Sequence, residues 1–186
     1  MTNASNEDLR YPIGPFTSPD SVTPGQVAAW TADIARLPND LRAIVTGLAP
    51  RQLDTPYRPG GWSVRQVVHH VPDSHLNSLI RFKWALTEDR PVIKAYDEQR
   101  WAALPDYRTV PIAHSLDLLD ALHVRWVGLI QSLSWAQFQR EFVHPDTGTA
   151  TTVAVTVGAY AWHGRHHLAH IERLIMREGW DKSGTS

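Results

Sequence analysis

Apolar residues recur at intervals of three and four in four long stretches of this chain, which is the signature of amphipathic helices with one buried face. The first stretch opens on Thr23-Pro24-Gly25-Gln26. A Thr N-cap, a Pro at the first helical position and a Gln three residues on make a capping box. Val27, Trp30, Ile34, Leu37, Leu41, Ile44, Val45 and Leu48 mark its apolar face, with Pro38 expected to kink or split the helix and Gly47 to stop it. The second stretch opens on a further capping box, Ser63-Val64-Arg65-Gln66, and carries Val67, Val68, Val71, Leu79, Phe82 and Leu86. The third covers about 111–133 through Leu116, Leu119, Leu122, Val127, Ile130 and Leu133. The fourth runs from about 154 to 178 and ends at Gly179. The expected fold is all-α, a four-helix bundle.

The segments between are rich in breakers. Residues 1–22 hold Pro12, Gly14, Pro15 and Pro19 and read as an extended N-terminal arm, pinned by Tyr11, Ile13 and Phe16. Residues 88–110, with Pro91 and Pro105, read as a long loop between helices two and three, and loops of this length are often functional. A short helix is expected from Ser134-Trp135-Ala136-Gln137, a turn at His144-Pro145-Asp146-Thr147-Gly148, and a strand or a helix approach over Thr149–Val157. Residues 23–180 then form a single bundle domain with metal-binding capacity, and 181–186 a flexible tail.

At 186 residues the chain is long enough to bury a core without staples. Its 18 basic and 19 acidic side chains leave a net charge of −1, which argues against nucleic acid or an anionic membrane as partner. No run approaches the 18 apolar residues of a membrane span, and Met1–Asp8 lacks the basic start and apolar run of a signal peptide. Cys is absent, which excludes a disulfide framework, a thiolate nucleophile of the chain's own and a Cys-based metal site, and a soluble cytoplasmic protein is expected. With 10 His, imidazole is the abundant group able to hold a metal near neutral pH.

Trp162-His163-Gly164-Arg165-His166-His167-Leu168-Ala169-His170 offers the i,i+4 pairs His163/His167 and His166/His170. Tyr160, His163, His167, Ile171 and Leu174 share the core-facing stripe, so the first pair points inward. Ala159, Trp162, His166, His170 and Arg173 lie on a more polar neighbouring stripe, expected at a rim or an interface. No Glu follows the first His, so this is not the HExxH metalloprotease motif. A third ligand should come from helix two, which carries His69, His70 and His75. Spacing leaves His70 and His75 about equal, with a mild wheel preference for His75, and Pro72 between them disturbs the phase. His114, His123, His144 and the unselected helix-two histidines are expected on the solvated surface.

Tyr57-Arg58-Pro59-Gly60-Gly61-Trp62-Ser63-Val64-Arg65-Gln66-Val67-Val68-His69-His70, with Asp73-Ser74-His75, resembles the helix-two signature of the YfiT-like branch of the DinB superfamily. Tyr160 through Ile171 resembles its last helix, and Arg81-Phe82-Lys83, Tyr96-Asp97-Glu98 and Tyr11-Pro12-Ile13-Gly14 also fit. The resemblance covers about 10–180. It implies a four-helix bundle, often dimeric, with one divalent metal per subunit held by His70, His163 and His167. On helix two it thereby selects His70 over His75. One departure is Pro72, where the family pattern usually has Ala.

Three neutral imidazoles suit Zn, Ni, Fe or Co, with Zn or Ni expected, and three protein ligands leave positions open. The expected function is a metal-dependent hydrolase in which metal hydroxide attacks a small electrophilic substrate. Asp73, Glu98, His166 and His170 are candidates to support the ligand rings from outside. The resemblance also implies an alternative, transfer of a low-molecular-weight thiol to an electrophile. A further alternative is a non-catalytic metal-binding dimer. Eight Trp and the second His stripe point to a homodimer.

Overall fold

The computed structural model describes residues 9–180. Four long helices dominate it: α1 (Pro24–Val45), α2 (Val64–Thr87), α3 (Ile112–Ser132) and α4 (Val153–Glu178). The caps read from the sequence are present. Thr23 and Ser63 each accept from the amide three residues on, and Gln26 and Gln66 return the bond to the cap amide. Gly179 closes α4 at φ 61°, a left-handed conformation that Gly adopts without a Cβ penalty. Among the described residues no helix is long and apolar enough to cross a membrane.

α1 packs on α3 and α4, and α2 packs on the same two helices. Helices consecutive in the chain, α1 with α2 and α3 with α4, therefore face each other across the bundle diagonal. The contact of α1 with α4 is close at two glycines. A Cβ on Gly158 would lie 3.0 Å from the Trp30 ring, and one on Gly164 would lie 2.6 Å from Leu37 Cδ2.

Two prolines sit inside long helices. Pro38 neither splits nor ends α1, which continues to Val45, beyond the expected break and just short of Gly47. Pro72 is likewise accommodated within α2. Each leaves one carbonyl, on Ile34 and on Val68, without its usual donor four residues on.

The connections hold more structure than a loop reading gives. Residues 88–110 contain two short helices, Glu98–Ala102 and Asp106–Thr109. The hairpin β1 (Glu141–Val143) and β2 (Ala150–Thr152) pairs antiparallel, with Phe142 opposite Thr151. Val143 also exchanges backbone bonds with Ile93 and Pro91, at 3.0 and 2.9 Å, so the long connection lies along the hairpin edge. Arg140 donates to the carbonyls of Ala85 and Glu88 and ties the hairpin to the end of α2. The short helix Trp135–Phe138 has the capping box expected of Ser134 and Gln137.

The described part of the arm lies on α4. Trp162 Nε1 donates to the Gly14 carbonyl at 3.1 Å, His170 Nε2 to the Arg10 carbonyl at 3.0 Å, and Arg173 to the Pro12 carbonyl. Of the expected side-chain anchors, Tyr11 lies against His166 and Phe16 against Trp162, whereas Ile13 is 43% exposed. The expected tail over 181–186 lies outside the described residues.

The core is divided. One apolar cluster gathers Ile34, Leu79, Phe82, Trp126, Ile130 and Val157, and the other Leu37, Leu41, Val67, Val68, Val71, Leu119, Ile171 and Leu174. On α2 the buried polar residues Ser74, His75 and Ser78 fall between the two. On α4 His166, His167 and His170 do the same. A belt of imidazoles thus crosses the middle of an otherwise apolar bundle.

The close approach at Gly164 sets how deep α4 sits in that belt. Gly164→Val should lower stability by about 1–3 kcal/mol through overpacking against Leu37. Urea unfolding reads this as a lower midpoint at an unchanged slope. An unchanged midpoint would contradict the packing described.

Candidate metal centre

α2 and α4 bring three imidazoles to one point. One ring nitrogen each from His70, His163 and His167 lie within 4.8 Å of one another. His163 and His167 sit one turn apart on α4, with ring centroids 4.5 Å apart. His70 reaches them from α2, its Nε2 lying 3.2 Å from His163 Nε2. His70 and His167 are buried, at 4% and 6% exposure, and His163 is partly buried.

Burial lowers the pKa of His70 to about 3 and pushes His163 and His167 well below the usual imidazole range. The neighbouring imidazoles add to the shift. All three rings are neutral at physiological pH, the form that ligates a metal.

These residues fit a metal ion. In a tetrahedral site with metal–nitrogen bonds of about 2.0–2.1 Å, neighbouring donors lie about 3.3 Å apart, close to the His70–His163 separation. Gathering such rings costs free energy that an ion at their centre would offset.

The three histidines line a cleft of about 380 Å³. Trp62, Trp162, Tyr96 and Tyr160 contribute aromatic surface, and Ser74, Arg81, Glu98, His144 and Asp146 the polar groups. Trp62 packs on His70 with centroids 4.5 Å apart, and its Nε1 donates to Gln99 Oε1 at 3.1 Å. Burial raises the Tyr96 phenol to about 12, so it stays protonated and able to donate. Arg81 has no carboxylate partner among the described residues and reaches only the Lys94 carbonyl, at 3.4 Å.

The supporting candidates separate. Glu98 lines the cleft and is exposed. Asp73 points elsewhere: Tyr107 Oη donates to its Oδ2 at 2.6 Å, and it does not line the cleft. His166 and His170 are buried at 8% and 3% exposure beneath Tyr11 and Arg10 of the arm, and His166 also lines the cleft, as a rim position would. His166 stacks on Trp162 at 4.5 Å and His170 on Tyr57 at 3.9 Å.

Three histidines expected at the surface are in the core. His69, His75 and His123 are 5%, 0% and 2% exposed. His69 Nδ1 pairs with Ser115 Oγ at 2.7 Å. His75 sits where the helical wheel leans, inside the bundle, with its Nε2 3.1 Å from His163 Nδ1. The signal for His123 was its spacing: it falls four residues after Leu119 and three before Trp126, on the buried face of α3. His114 is exposed and His144 half-buried.

The chain belongs to the DinB superfamily, whose family model matches residues 33–171. A Bacillus cereus ATCC 14579 protein named "Putative metal-dependent hydrolase" is 54% identical over 173 residues, covering 93% of this chain and 99% of its own. A Bacillus anthracis A0248 protein of the same name matches to the same extent. Among solved structures, YfiT from Bacillus subtilis is similar at a TM-score of 0.92 and 46% identity, over 94% of this chain and 99% of its own. That protein is described as "a probable metal-dependent hydrolase with an unusual four-helix bundle topology".

Buried neutral imidazoles make the fold acid-sensitive. A ring whose folded pKa is depressed stays neutral while its unfolded counterpart, near 6.5, takes up a proton. The unfolded state then binds more protons, so stability is full above about pH 7 and lost as pH falls below 6.5. Each of His70, His75, His123, His163 and His167 adds up to about 1.4 kcal/mol of loss per pH unit. The urea midpoint of metal-free protein should be level above about pH 7 and drop steeply towards pH 5. A midpoint level down to pH 5 would show that these rings are not buried neutral.

Proposed function

We propose that the chain is a metal-dependent hydrolase of small electrophilic substrates, with one divalent ion, Zn or Ni, held by His70, His163 and His167. The observation that carries this reading is the convergence of three neutral imidazoles in the lining of a cleft, with no fourth protein donor grouped with them among the described residues. A structural site closes its coordination sphere with protein ligands, whereas three ligands leave a place for substrate or water. Relatives at 54% identity carry the name "Putative metal-dependent hydrolase", which supports the same reading.

When bound, the ion would supply Lewis-acid polarisation and a water of depressed pKa. The protein's own groups do the rest. Trp62 packs against His70 and His167, and Trp162, stacked on His166, lines the same cleft. Arg81 is the cation available to orient a polar or anionic part of the substrate, and the Tyr96 phenol is a donor in the same cleft. Glu98 is the carboxylate nearest in kind to a proton acceptor there, with Asp146 on the hairpin turn.

We further propose a homodimer acting in the cytoplasm. Leu76 and Ile80 lie one turn apart on the outer face of α2, each 37% exposed, and support an apolar contact between copies. The absence of Cys fits a reducing compartment.

Purified protein should contain about one divalent ion per chain. His70→Ala, His163→Ala and His167→Ala should each abolish tight binding, because two imidazoles hold an ion far more weakly than three. His69→Ala and His114→Ala should leave the content near one. A panel of activated esters and amides, assayed with and without a small thiol, should be hydrolysed without the thiol, and the three ligand variants should lose that activity. Metal content unaffected by all three substitutions would overturn the reading, and turnover only with thiol would replace hydrolysis by thiol transfer.

A further inference from the structure

A run of imidazoles leads from the candidate ligands into the bundle. His163 Nδ1 lies 3.1 Å from His75 Nε2. His75 Nδ1 lies 2.9 Å from His123 Nε2, with the two rings stacked at 4.9 Å and 17°. His123 Nδ1 lies 2.6 Å from the carbonyl oxygen of Ile34. His75 and His123 are among the most buried polar groups of the described chain, at 0% and 2% exposure.

The last contact fixes the polarity of every other. A carbonyl only accepts, so His123 Nδ1 carries a proton. A neutral ring holds one proton, so His123 Nε2 is an acceptor, and His75 Nδ1 must donate to it. His75 Nε2 is then an acceptor in turn, and His163 Nδ1 must donate to that. His163 Nε2 is left with its lone pair, and it is this atom that faces His70 Nε2 at 3.2 Å.

The Ile34 carbonyl is open to this role because of Pro38. In an uninterrupted helix the amide of residue 38 would bond back to it, and Pro has no amide proton. The proline in α1 and the histidine on α3 are thus complementary: one removes a donor and the other replaces it.

We propose that His75 and His123 are positioning residues, which transmit the polarity of the Ile34 carbonyl to His163 so that its Nε2 presents a lone pair to the metal. This rests on the reading of His163 as a ligand given above. Neither ring touches the substrate cleft, since neither lines it. Their role is to hold the ring and its tautomer, as the outer partners of ligating histidines generally do. The interaction spans all four long helices, so it also couples the seating of His163 on α4 to the packing of α1, α2 and α3.

Long-range proton–nitrogen correlation on the metal-free, full-length, histidine-labelled protein tests this without any substitution. His123, His75 and His163 should all be protonated on Nδ1 and bare on Nε2. His75→Leu and His123→Leu should then weaken Zn affinity by about 10–100-fold at a stoichiometry still near one. His69→Leu, at a buried site where the ring bonds to Ser115 on α3 and to none of the three candidate ligands, should leave both affinity and the His163 tautomer unchanged. A proton on His163 Nε2 would overturn the proposal, as would equal Zn affinities in all three variants. The tautomer reading needs no metal, so a failed relay is distinguishable from a failed metal site: in the second case the tautomers stand as stated and the native chain takes up no Zn.

Discussion

The burial of imidazoles in the middle of an apolar bundle is the constraint around which the molecule is arranged. Each ring has a donor and an acceptor to satisfy, and an unmatched buried polar atom costs about 1–3 kcal/mol. Between the two apolar clusters the chain answers this in two ways. His75 and His123 are matched in full, by each other, by His163 and by a backbone carbonyl. His70, His163 and His167 converge on a point where a single ion would match them together. Aromatic rings cover the flanks, with Trp126 and Tyr160 edge-on to His75 and Trp62 against His70.

Much of the fold could be read directly. Capping boxes at Thr23 and Ser63, the glycine at 179 and the 3–4 spacing each act within a few residues, so the sequence displays them without reference to the rest of the chain. The parts that escaped are those settled at long range. The turn over 144–148 and the strand leading into α4 are legible locally, but the first strand, Glu141–Val143, is held by Pro91 and Ile93, about fifty residues earlier. Pro38 reads locally as a break, yet α1 runs through it, and the carbonyl it frees is taken up by a ring on α3.

The site divides along the same line. Periodicity alone turned His163 and His167 inward, and the structure brings them together. On α2 the spacing of His70 and His75 was ambiguous for a physical reason: both are buried and both reach His163, one at Nε2 and the other at Nδ1. The wheel points at the ring that meets His163 Nδ1, and the family resemblance at the ring that meets its Nε2. For His123 the general tendency of His to be exposed points to the surface, whereas its position among Leu119, Leu122 and Trp126 on the apolar face of α3 places it inside. The arm covers His166 and His170 through the Tyr11 ring and the Arg10 carbonyl, long-range contacts that the periodicity of α4 does not display.

Membership of the DinB superfamily and the geometry of the three imidazoles meet at one claim, that a divalent ion sits between α2 and α4. Anomalous diffraction at the Zn edge from crystals of the Zn-loaded protein tests it most directly. The account predicts one peak per chain, about 2.0–2.1 Å from His163 Nε2 and from one ring nitrogen each of His70 and His167. A peak centred instead on His166 and His170, or the absence of any peak at the three histidines, would contradict it.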